Sequence, residues 1–199
     1  MTENGNVKYN CKWIKSESLS ELQIESLNRW RKRLHDLRLI GAYENSIGYG
    51  NLSIRIDNSS QFIITGSNTG HLALLDGRHY TKVLSYDITD NSLTCEGPIM
   101  ASSESLTHAA IYATSSWVKG VIHVHCLRLW QKLIDKVPTI SRDVEYGTPE
   151  MAAEMMRVLR EAPVKDQGIV VMGGHQDGLI TFGRTLNKAG IILMQYLNG

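Results

Sequence analysis

The stretch SLSELQIESLNRWRKRLHDLRLIG places apolar residues at Leu27, Trp30, Leu34 and Leu37, the spacing of one helix face, with Gly41 as its stop. From Gly48 to Thr65 the pattern shortens to β-type runs, NLSIRI and QFIIT, joined by the turn-forming DNSS, which predicts a hairpin. HYTKVLSYDITDNSLTCEG continues with β-branched and aromatic residues around a second turn, TDNS. A helix is expected near SSESLTHAAIYATSSW, with Leu106, Ala110, Ala113 and Trp117 on or near one stripe and Ser102 or Ser103 as its cap. GVIHVHC reads as a strand, and Thr148-Pro149-Glu150 opens a helix over YGTPEMAAEMMRVLREA. DQGIVVMGGHQDGLITFG then predicts two short strands around a Gly-rich turn, and TLNKAGIILMQYL a final helix. Hairpins interleaved with helices imply an α/β fold whose sheet is largely antiparallel rather than doubly wound.

Length and charge narrow this picture. The 199 residues suit one domain spanning 1–199, with the polar residues 1–17 expected to be flexible or loosely attached. With 42% apolar and 21% charged residues, the chain is of ordinary globular composition. The net charge of +1 gives no reason to expect a nucleic-acid or anionic-membrane partner. The basic RWRKR is flanked by Glu21, Glu25 and Asp36 and reads as a solvated helix face. Cys11, Cys95 and Cys126 show no CxxC spacing and suit a reducing compartment. No signal-peptide or membrane-spanning run is present in the sequence, so a cytoplasmic protein is expected.

The chemistry centres on GVIHVHC. In a strand, Val121, His123 and His125 share one face, and two imidazoles pointing the same way are either locally satisfied or ligands of one metal. His175, in VVMGGHQDG, is the candidate third ligand, because its flanking glycines allow the backbone a sharp turn and a close approach. Three imidazoles leave one position open, as in a catalytic zinc site. Glu104, at a helix start, is the candidate acid/base, and its bland role is to complement the helix dipole. His108, four residues on, is expected to pair with Glu104 structurally. His35 reads as a surface residue, and the spacing does not select His71 or His79 as ligands. Gly50-Asn51-Leu52-Ser53, Thr65-Gly66-Ser67 and Ser102-Ser103 combine close backbone approach with small polar groups. Singly each is an ordinary turn; together they outline a neutral phosphate cradle without an arginine clamp.

GYGNLS, FIITGS, the SSE of IMASSES, HAAIY, VIHVH, YGTPE and VVMGGHQDGLITFG occur in the order found in the class II aldolase/adducin family, which the chain resembles from about residue 21 to 197. The resemblance implies a three-layer α/β/α fold with a mostly antiparallel central sheet. For the fuculose-phosphate aldolase branch it implies Zn2+, or another divalent ion, on His123, His125 and His175, and Glu104 as acid/base. Gly50, Asn51, Thr65, Gly66, Ser102 and Ser103 match the family's phosphate-binding positions. The implied reaction is reversible cleavage of a phosphorylated ketose to dihydroxyacetone phosphate and an aldehyde, by a homotetramer. Pentulose-phosphate epimerases, methylthioribulose-phosphate dehydratases and the non-catalytic adducin head domains share the scaffold. Three features depart from the aldolase pattern: the long SNTGHLALLDGRHY, which brings in His71, Arg78 and His79, the bulky CLRLWQKL after the histidine pair, and the lack of a residue matching the aldolases' tail tyrosine, since Tyr196 reads as part of the last helix.

Overall fold

A computed structural model describes residues 9–161 and 167–199. The strands are β1 (Asn10–Lys15), β2 (Gly41–Ala42), β3 (Gly48–Tyr49), β4 (Asn51–Arg55), β5 (Phe62–Thr65), β6 (Tyr80–Asp87), β7 (Ser92–Gly97), β8 (Gly120–His125), β9 (Thr139–Ile140), β10 (Ile169–Met172) and β11 (Gly178–Gly183). The helices are α1 (Glu21–Asp36), α2 (Ser105–Thr114), α3 (Leu127–Leu133), α4 (Pro149–Glu161) and α5 (Leu186–Asn198). Nine of the described strands form one sheet in the order β1-β7-β6-β5-β4-β8-β11-β10-β9, and β2 and β3 make a separate ribbon. Only the outermost strands, β1 and β9, pair parallel; the interior of the sheet is antiparallel, as expected.

Alternation along the central strands divides the core in two. Val121 and Ile180 face a layer containing Leu106, Ala110, Met151 and Met155 of α2 and α4. Ile122 and Leu179 face the other layer, with Leu27 and Leu34 of α1, Leu129 of α3 and Leu193 of α5. Helices therefore cover both faces of the sheet, giving the three-layer α/β/α arrangement, and each of these central strands is buried on both sides.

Several local expectations are corrected. Of the segment 1–17, residues 1–8 lie outside the described residues, and Asn10–Lys15 is an edge strand in register with β7. Cys11 and Trp13 pack on the core from alternate positions, Trp13 Nε1 donates to Gly97 O (2.9 Å) and Tyr9 Oη to Ala101 O (2.8 Å). Two apolar anchors suffice in a strand whose other face is solvated. Helix α1 ends at Asp36, before Gly41, so Leu37 is half exposed and Ile24 joins the buried stripe instead. Within RWRKR, Arg31 is buried, since it lies four residues after Leu27 and three before Leu34, on the face those residues bury. Neither Ser102 nor Ser103 caps α2: Ser105 N and Oγ both bond Ser102 O, a tight turn that moves the N-cap to Glu104. The helix stops at Thr114, leaving Trp117 outside it.

Candidate active site

Strand β8 lies between β4 and β11, with His123 opposite Asn51 on one side and Ile180 on the other. Its histidines extend the face that carries Val121 toward α2, at the sheet end where α2 begins. The turn after β10 brings His175 to the same point, its N–H donating to Met172 O and its carbonyl accepting from Gly178 N. One ring nitrogen from each of His123, His125 and His175 lies within 4.8 Å of the other two.

Hydrogen bonds orient the rings. His123 Nδ1 lies 3.1 Å from Leu179 O; a carbonyl only accepts, so Nδ1 carries the proton and Nε2 keeps its lone pair. His125 Nε2 is 3.2 Å from that Nε2, and His125 Nδ1 is 2.7 Å from Tyr43 Oη. Burial pushes His123 down to about 4 and, joined by repulsion from His123 and His175, takes His125 lower still. Neutral imidazole is the ligating form. Two nitrogens on a tetrahedral zinc at 2.0–2.1 Å stand about 3.3 Å apart, so the 3.2 Å pair fits such an ion. The donor set therefore suits a divalent transition metal with an open position.

Around these rings is a cavity of about 90 Å³ whose lining includes Gly50, Asn51, Gly66, Ser102, Ser103 and Glu104. Glu104 is buried at the start of α2 and accepts from Thr107 Oγ1 (3.2 Å). Asn51 Nδ2 donates to Ser102 Oγ (3.1 Å), linking β4 to the serine turn, while its buried Oδ1 has no hydrogen-bond partner among the described residues. A bridge between Gly66 and Ala101, with Ser67 N donating to Met100 O (2.8 Å), sets the loop after β5 beside the same turn. Of the ten residues singled out from the sequence, Thr65 alone is not in the lining: it is buried, and its Oγ1 accepts from Leu52 N (3.3 Å).

His108 is not part of the cluster, and it does not pair with Glu104 as expected. Its Nδ1 is 2.7 Å from Ser53 Oγ, which is 2.8 Å from Tyr112 Oη, and burial pushes its pKa down to about 3. His71 and His79 are absent from the lining too; His79 closes a 3₁₀ turn over Gly77–His79 with Asp76.

Four contributions escape the sequence reading. Tyr43 and Tyr49 reach the site from the β2–β3 ribbon, their rings 4.6 Å apart and Tyr49 5.2 Å from His125. Tyr146 packs against His175 in a tilted arrangement, ring centroids 4.2 Å apart; it lies within the YGTPE motif, whose local signal is only that of a helix start. Arg31 supports the far wall, donating from Nη2 to the carbonyls of Thr69 (3.1 Å), Gly70 (2.9 Å) and Leu72 (2.8 Å).

A family model described as the Class II Aldolase and Adducin N-terminal domain matches residues 41–197, and the chain belongs to that family. Among solved structures, an L-fuculose 1-phosphate aldolase is 19% identical, with TM-score 0.68 over 91% of this chain and 84% of its own. A sugar-phosphate aldolase from Thermotoga maritima is 16% identical, with TM-score 0.63 over 89% and 96% of the two chains. An L-fuculose-1-phosphate aldolase from Thermus thermophilus is 20% identical, with TM-score 0.58 over 89% and 91%. At these identities the likeness shows a shared fold. No match was found among curated protein sequences.

Proposed function

We propose that the protein is a zinc-dependent, aldolase-type lyase that reversibly cleaves a phosphorylated ketose into dihydroxyacetone phosphate and an aldehyde. The carrying observation is the convergence of three histidines, Glu104 and the Asn51–Ser102–Ser103 wall on one cavity. A divalent ion held by His123, His125 and His175 would supply Lewis-acid stabilisation of negative charge developing on the substrate oxygens. Ser102, Ser103, Asn51 and the backbone at Gly50 and Gly66 would hold the phosphate, using neutral donors. Thr65 stays in this reading as a phosphate-site residue, its Oγ1 accepting from Leu52 N and its hydroxyl proton still able to donate. Glu104 would deliver a proton to the enediolate carbon after carbon–carbon cleavage, and remove it in the reverse direction. A homotetramer in the cytoplasm is part of the proposal; no described helix is long and apolar enough to cross a membrane.

The test is a panel of ketose phosphates incubated with zinc-loaded protein and scored for aldehyde, epimer and dehydrated product. Aldehyde with dihydroxyacetone phosphate supports the lyase. Epimer or dehydrated product alone replaces it with the corresponding activity on the same scaffold. Metal-loaded protein inert throughout the panel would count against all three reactions and favour an adducin-like binding role.

A further inference from the structure

We infer that Tyr43 sets the proton position on His125, and that its hydroxyl reverses between donor and acceptor as the histidine cluster passes from metal-free to metal-loaded. The inference rests on the metal reading above and deepens it.

Proton counting leads to this assignment. His123 Nδ1–H is committed to the Leu179 carbonyl, so His123 Nε2 presents a lone pair. His125 Nε2 faces it across 3.2 Å. Two lone pairs at that distance repel, so without a cation His125 carries its proton on Nε2 and donates it to His123. His125 Nδ1 is then an acceptor, and its partner at 2.7 Å, Tyr43 Oη, must donate. A ligating His125 needs the opposite arrangement: Nε2 bare, Nδ1 protonated, and an acceptor at Nδ1. A hydroxyl does both by rotating about its C–O bond, whereas a carbonyl, as His123 has, does only one. The change moves one proton from Nε2 to Nδ1 of the same ring; no net proton is taken up or released by His125.

Local structure equips Tyr43 for this role. The β2–β3 ribbon pairs Gly41 with Tyr49 and Ala42 with Gly48, and its turn is closed by Tyr43 N to Ile47 O (2.9 Å) and Ser46 N to Tyr43 O (2.9 Å). His125 N donates to Leu39 O (3.0 Å), so β8 is tied to the chain just before the ribbon. Tyr49 packs on both Tyr43 and His125, holding the hydroxyl at the imidazole edge. Tyr43 is therefore a positioning residue, acting through His125.

Long-range ¹H–¹⁵N spectra of the wild-type protein would read the ring protons of His125 without and with Zn2+. The expected result is an Nε2–H tautomer in metal-free protein and an Nδ1–H tautomer after loading. Titration of Zn2+ against a chromophoric chelator should show Tyr43→Phe binding at least about ten-fold more weakly, the usual effect of losing a ligand's hydrogen-bond partner. Tyr49→Phe, which keeps its ring packing, should bind within about two-fold of wild type on the same argument. Metal binding with an unchanged His125 tautomer, or with equal affinity in Tyr43→Phe, overturns the inference and leaves the metal site standing. A wild-type protein that takes up no divalent ion overturns the metal reading itself, and an Nδ1–H tautomer in the metal-free state independently overturns the role of Tyr43.

Discussion

His123 donates its Nδ1 proton to the carbonyl oxygen of Leu179 on the neighbouring antiparallel strand, 3.1 Å away. The backbone of that strand thus orients the imidazole and leaves the Nε2 lone pair as its free donor.

His123→Ala is expected to abolish tight metal binding, measured as metal per chain after dialysis. Glu104→Gln should retain metal and reduce turnover by about 10²-fold or more, the scale of lost general acid–base catalysis. Metal loss in both variants would mean that Glu104 is a ligand rather than the acid/base.

Arg31→Met removes a guanidinium donor shared by three carbonyls of the loop after β5. Charged hydrogen bonds are worth about 1.5–3 kcal/mol each, and the three share one nitrogen, so about 3 kcal/mol of stability should go. Urea unfolding checks the loss. Faster amide exchange confined to Thr69–Leu72 would locate it in the cavity wall.

His108 is fully buried and its pKa is pushed down to about 3 by burial, with repulsion from His123 adding to it. The unfolded chain takes up this proton near pH 6.5 and the folded chain does not. Stability is therefore full above pH 6.5 and falls with acidification, by at most about 1.4 kcal/mol per pH unit from this group, until the folded form protonates. His108→Gln should show a shallower loss of unfolding free energy between pH 6 and pH 4 than wild type. Equal slopes would contradict a buried neutral His108.

Gly50 has φ +77°, and an added Cβ would lie 2.6 Å from Ile40 Cγ1 and 3.2 Å from His123 O. Gly50→Ala is expected to destabilise by about 1–3 kcal/mol through left-handed strain and this crowding. Chemical denaturation gives the number, and an unchanged midpoint would show that the strand entry tolerates a side chain.

The alternation of GVIHVHC is readable because a strand's two-residue period is a local property. YGTPE and TLNKAG announce their helices for a similar reason: Thr148 and Thr185 hydroxyls accept from Met151 N and Lys188 N within their own first turns. Arg31 defeats such reading because flanking carboxylates describe the helix surface on average, whereas its burial depends on a loop about 40 residues later. Tyr43 carries no sequence signal at all; its partner His125 is 82 residues away.

Residue order and chemistry by themselves determined the mixed α/β pattern, the shared face of His123 and His125, and the small polar residues at strand ends and at the start of α2. Those features depend on backbone period and on side-chain type, which act over a few residues. Tertiary structure decided how close His175 comes to the pair, that Thr65 Oγ1 accepts from Leu52 N, and that Tyr43 faces His125. Each of those depends on how a nine-stranded sheet and its covering helices bring distant segments within a few ångströms, a matter of packing that no local pattern encodes.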